Sequence, residues 1–82
     1  MRIFILTNFE NEVLKAFTNL ESAIDFAENY IGERMHGSDS KDVILAFTEF
    51  YDQITRFKNT DGVTPFAVSG LIRCDVADLI TG

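Results

Sequence analysis

Few residues in this chain could do chemistry, and their spacing argues against it. The sequence holds one histidine, His36, and one cysteine, Cys74. His36 lies in a polar stretch with Glu33 and Asp39 nearby, three side chains able to approach a cation. They lack the closed His/Cys spacing of zinc sites and the loop pattern of calcium sites, so a solvated loop histidine is expected and no metal. Cys74 ends the apolar stretch that begins at Phe66 and has no histidine close in sequence. A small apolar filler is expected there, not a nucleophile. The glycines form neither a P-loop nor a GxGxxG fingerprint. The chain therefore reads as no enzyme, with no cofactor.

Composition narrows the class further. Eighty-two residues make a single domain, 1–82, and 46% hydrophobic residues with eight Phe can build its core. Thirteen acidic side chains against seven basic ones leave a net charge of −6. That field repels phosphate backbones, which argues against direct nucleic-acid binding. It suits an acidic protein that occupies the basic surface of a nucleic-acid-binding partner. No apolar run approaches the ~18 residues of a membrane span. The opening Met1–Thr7 is too short and too quickly polar for a signal peptide. The lone cysteine fits a reducing compartment, so a cytoplasmic location is expected, in the host if the source is viral.

The elements that position these residues follow from hydrophobic spacing. Arg2–Thr7 reads as a strand with Ile3 and Ile5 on one face and Phe4 and Leu6 on the other. After an Asn8–Asn11 turn, Glu12–Phe17 returns as the second arm of a hairpin. Thr18-Asn19-Leu20-Glu21 matches a capping box, with Thr18 as the cap of a helix from Asn19 to about Arg34. Its apolar stripe is Leu20, Ala23, Ile24, Ala27, Tyr30 and Ile31, with Phe26 at the margin.

Gly37–Ser40 is a polar break, and Ser40–Lys58 is the strongest helical pattern in the chain. Val43, Phe47, Phe50, Ile54 and Phe57 recur at spacings of four, three, four and three. Ile44 and Tyr51 widen that stripe, and Asp52 and Arg56 are placed for an i,i+4 ion pair on the polar back. A strand period leaves neither face clean. Asn59–Gly62 is a turn, and Phe66–Cys74 is a strand that Ser69-Gly70 can split into a tight hairpin. Asp75–Ile80 is expected to form a terminal helical turn that packs Val76, Leu79 and Ile80 inward. The resulting class is α+β, ββααβ, a small antiparallel sheet with a helical pair on one face.

Two features point to protein recognition. Glu21, Asp25 and Glu28 lie along one side of the first helix with no lysine or arginine among them. They can steer a basic partner as well as being a solvated face. Apolar side chains also stand where a monomer leaves them wet: Phe9 in the hairpin turn and Leu45 on the polar back of the second helix. With one sheet face under the helices, Phe4 and Leu6 are expected to need a second cover, which a homodimer would supply, with Tyr51 and Phe26 at its margins. A helix-turn-helix DNA reader fails on the long interhelical break and on the acidic Asp42, Glu49 and Asp52.

The opening hairpin followed by Phe17, Thr18, Glu21 and Ala23 at the helix junction resembles small uncharacterised bacteriophage and bacterial proteins. These begin with a β-hairpin and a capped helix, and the similarity covers the first ~34 residues. It implies a phage-type accessory protein acting in the infected cell. The expectation is a small acidic protein-binding module that inhibits or modulates a host or defence protein. Partner-binding residues would be Glu21, Asp25, Glu28, Phe9 and Leu45. The alternative is a self-assembling structural or regulatory protein without catalytic activity.

Overall fold

Strand alternation and helical spacing resolve into six elements in a computed structural model that describes residues 2–68 and 70–78. They are β1 (Arg2–Asn8), β2 (Val13–Phe17), α1 (Leu20–Arg34), α2 (Ser40–Asn59), β3 (Ala67–Val68) and β4 (Ile72–Asp78). The strands form one antiparallel sheet in the order β2-β1-β4-β3, so the first and last strands are its centre. Both helices pack on one face, giving the α+β class expected from the sequence. The final strand is a hairpin, which turns ββααβ into ββααββ.

The hairpin tips are set by short-range chemistry. The Asn8 carboxamide oxygen accepts from the backbone N–H groups of Glu10 and Glu12 at 2.9 and 3.0 Å, while Asn11 adopts φ 65°. The turn leaves Phe9 pointing into solvent, 56% exposed. Opposite Leu6 and Thr7, β2 carries an extra residue, Leu14, which packs on the core.

The start of α1 corrects the capping expectation by one residue. Asn19, not Thr18, is the cap: its backbone is extended and its side chain accepts from Ser22 N–H at 3.0 Å. At the start of α2, Asp39 takes the cap position with no side-chain hydrogen bond. The far end of α2 is a Schellman motif. Asp61 N–H donates to the Lys58 carbonyl and Gly62 N–H to the Phe57 carbonyl, at 3.1 and 2.8 Å, with Asp61 at φ 53° and Gly62 at φ 82°.

The core is an aromatic chain between helix and sheet. Phe57 meets Phe4 edge-on at 5.4 Å and Phe66 at 4.9 Å, and Phe50 meets Phe66 at 6.0 Å. Ala23, Ile24, Ala27 and Ile31 of α1 and Leu6, Val68, Ile72 and Cys74 of the strands complete it.

Four expectations are corrected here. The helices cover Phe4 and Leu6, leaving Ile3 and Ile5 half-buried on the opposite face, because Phe57 can reach only the face that carries Phe4. Ile44 and Tyr51 do not widen the buried stripe of α2. They stay 64% and 51% exposed while Ala46, on the other side, is buried. Asp75–Asp78 belongs to β4 instead of a helical turn, since Ile5, Phe4, Ile3 and Arg2 of β1 pair with it; Leu79 and Ile80 lie outside the described residues. Asp52 and Arg56 make no ion pair among the described residues, where the three formed are Arg2–Asp61, Arg2–Asp78 and Arg73–Asp75.

Gly62 links the helix end to the sheet. A Cβ there would stand 2.6 Å from the Phe4 ring, on a backbone already left-handed. Gly62→Ala is expected to lower unfolding stability by about 1–3 kcal/mol, through backbone strain and displacement of a core ring. Urea denaturation followed by circular dichroism checks this, and an unchanged midpoint would contradict the packing described.

Candidate functional site

The sequence-identified residues fall on separate surfaces. Glu21, Asp25 and Glu28 form one row of α1, and the row continues at Gly32, four residues beyond Glu28. Gly32 and Glu28 open into a cleft of about 620 Å³ between the helices, lined also by Asn29, Glu33, His36, Phe47 and Tyr51. Phe9 and Leu45 lie elsewhere. Each borders a smaller depression beside the β3–β4 turn, and the two depressions share Val68, Gly70 and Leu71. Of the acidic row only Glu28 lines the cleft, and the wall that faces it was not among the sequence-identified residues.

That second wall comes from α2. Phe47 and Tyr51 are one turn apart, their rings 5.9 Å apart at 31°, and Ile44 lies one turn further towards the start of the helix. Phe47 is half-buried, whereas Ile44 and Tyr51 project from the surface. Their shared exposure was readable only as a widened core stripe. The tertiary placement of α1 alongside α2 is what makes them a wall.

The two walls face each other at Glu28 and Tyr51. Loss of hydration, then the negative charge of the facing Glu28 carboxylate, raise the Tyr51 hydroxyl above its ordinary value. Among the described residues no cation pairs with Glu21, Asp25, Glu28 or Glu33; the ion pairs formed involve Arg2 and Arg73 only. Lys58 continues the Phe47–Tyr51 side of α2 at the Glu21 end and makes no ion pair among the described residues.

The other flank of α1 treats its rings differently. Phe17, Phe26 and Tyr30 form a ladder with centroid spacings of 5.6 and 6.4 Å. The Lys15 ammonium sits 5.3 Å from the Phe17 centroid, and the Arg34 guanidinium 5.6 Å from Tyr30 and 5.9 Å from Phe9. Phe9 is thus in contact with a cation of its own chain. Phe26 is engaged by Phe17 and Tyr30.

The floor of the cleft is Gly32. A helical glycine costs about 0.5–1 kcal/mol relative to alanine. A Cβ built there would meet only Phe47, at an ordinary 4.0 Å. Packing would accept the methyl group, so helix–helix contact does not require glycine at this position.

Neither candidate for chemistry is assembled for it. His36 and Glu33 both line the cleft, but Asp39 caps α2. Among the described residues no three His, Cys, Asp or Glu side chains gather around a common point. Cys74 is fully buried, and burial followed by the Asp75 carboxylate pushes its thiol up to about 12, which keeps it protonated and unreactive at neutral pH. Among the described residues no helix is long and apolar enough to cross a membrane. No protein-family model, curated protein or solved structure matches the chain.

The Glu28–Tyr51 interaction is open to direct measurement. The chain has two tyrosines, so in a Tyr30→Phe background the rise of tyrosinate absorbance between about pH 8 and 13 reports Tyr51 alone. Glu28→Gln in that background is expected to lower the Tyr51 midpoint, because a neutral amide no longer opposes tyrosinate formation. Equal midpoints in both proteins would show that Glu28 does not act on Tyr51.

Proposed function

We propose that this chain is a non-catalytic, acidic protein-binding module that docks the Glu21–Asp25–Glu28 side of α1 on a basic surface of another protein. The observation that carries this reading is the row of carboxylates, unpaired among the described residues, beside exposed Ile44 and Tyr51. Carboxylates give long-range steering and the apolar wall gives contact area, a division of labour usual at interfaces. A partner surface that otherwise binds nucleic acid fits the charge, since regularly spaced carboxylates can substitute for phosphates. Inhibition then follows from occupation of that surface. Phe9 and Leu45, flanking the β3–β4 turn, would serve as a separate apolar contact. The role of an accessory protein directed at a host or defence protein rests on the resemblance of the first ~34 residues alone.

The test is charge reversal against a partner recovered from the source cell or its host. Asp25→Lys with Glu28→Lys is expected to weaken binding about tenfold or more and to flatten its dependence on salt. Unchanged affinity and an unchanged salt slope would remove the acidic row from the mechanism.

A second reading, a homodimer through the open sheet face, is favoured by Ile3 and Ile5. Both are half-buried there, with Ala77 opposite Ile3 and Ala16 opposite Ile5 on the neighbouring strands. Ala16 and Ala77 leave room for a second sheet at the usual ~10 Å spacing, while Asp75 flanks Ile5 on its other side. On this reading light scattering at tens of micromolar gives twice the monomer mass and Ile5→Lys restores the monomer. A monomeric wild type would end it.

A further inference from the structure

We infer that the α1–α2 cleft is built to take an arginine side chain from a basic segment of the partner, an inference that rests on the binding-module reading above. Three independent observations converge on it. The first is charge: Glu28 and Glu33 line the cleft, Asp25 and Glu21 continue the Glu28 row along α1 beyond it, and among the described residues none of the four pairs with a cation. The second is the contrast between the two flanks of α1. On one flank the chain lays its own Lys15 and Arg34 against Phe17, Tyr30 and Phe9. On the other, the Phe47 and Tyr51 rings border carboxylates, and among the described residues no cation lies over either ring. The missing component on that side is a cation. The third is Gly32, where a helix-stabilising methyl that the surroundings would accept is absent, leaving the floor as bare backbone.

The chemistry favours arginine over lysine. A guanidinium is planar and weakly hydrated, so it lies flat on a ring such as Tyr51 while its N–H fork reaches a carboxylate in the same plane. The Glu28 carboxylate faces the Tyr51 side of the cleft and offers two acceptor oxygens to the incoming group. Glu33, on the other side of the Gly32 floor, offers a second acceptor. An ammonium group would satisfy the charge but could not stack.

The probe is a blocked heptapeptide of alternating glycine and arginine, with its lysine counterpart as control, titrated into the full chain and followed by amide NMR. Saturable shifts concentrated at Asn29, Gly32, Phe47 and Tyr51 are expected, with the lysine peptide about fivefold weaker. Gly32→Leu, which fills the cleft without changing charge, and Tyr51→Ala should each weaken the arginine peptide about fivefold or more, while Asp75→Asn on the sheet leaves it unchanged. Both cleft variants alter exposed positions, and retained spectra elsewhere in the chain show that they fold. Shifts spread over all acidic surfaces, indifference to Gly32→Leu, or equal affinity for the two peptides would overturn the arginine cleft. With the recovered partner, binding lost by Asp25→Lys but retained by Gly32→Leu overturns the cleft and leaves the module standing. Binding retained by both overturns both.

Discussion

The structure depends on the position of the Phe57 ring. It sits edge-on between Phe4 of the first strand and Phe66, the residue just before the third, and all three are buried. Edge-to-face contacts of this kind fix orientation as well as bury area, because the positive rim of one ring meets the negative face of the next. Phe57 is also the residue whose carbonyl accepts from Gly62. The same residue therefore ends α2, sets its depth on the sheet and starts the descent of the chain toward β3. If Phe57 were placed on another face of the helix, the sheet would lose its cover and the helix its stop.

From this anchor the surface chemistry follows. With the roughly 80° arc of α2 that carries Ala46, Phe50, Ile54 and Phe57 committed to the sheet side, the neighbouring row of Ile44, Phe47 and Tyr51 turns towards α1 and outward. Helix α1, held by Ala23, Ile24, Ala27 and Ile31, turns Glu28 and Gly32 to meet it. The small alanines let α1 lie close to the sheet, while Gly32 leaves the upper part of the interhelical space empty. Core packing thus creates the cleft, and the polar residues decide its character.

Much of the scaffold was legible in the sequence because it is written in local periods. The four-three-four-three spacing from Val43 to Phe57 defines α2 to within a residue of its observed end, and alternation defines β1. Errors arose where two local solutions compete. Thr18 and Asn19 are both good caps, and only the Asn19 side chain reaches Ser22. Ile3–Ile5 and Phe4–Leu6 are equally apolar, so which pair faces the helices is decided by contacts with residues fifty positions away. The Asp75–Asp78 stretch has no strong strand signal of its own and is drawn into the sheet by β1. At the candidate site the acidic row of Glu21, Asp25 and Glu28 was visible as a helical spacing. The Phe47–Tyr51 wall and the Gly32 floor were not, because a cleft between helices has no sequence period.

The strand order has a kinetic consequence. β1 and β4 are neighbours along their whole length, Asn8 pairing with Ile72 and Arg2 with Asp78, more than sixty residues apart. Loop closure over such a span is slow compared with hairpin formation, so the β1–β2 hairpin and both helices can form long before the central pairing does. During synthesis the N-terminal strand must wait, one edge unpaired, until β4 has been made and has emerged from the ribosome. Nascent-chain protection, by a chaperone or by a neighbouring copy, would be most needed in that interval. Residues 72–78 thus act as the closing latch of the domain, and the time taken to translate the middle of the message is the time for which it stands open.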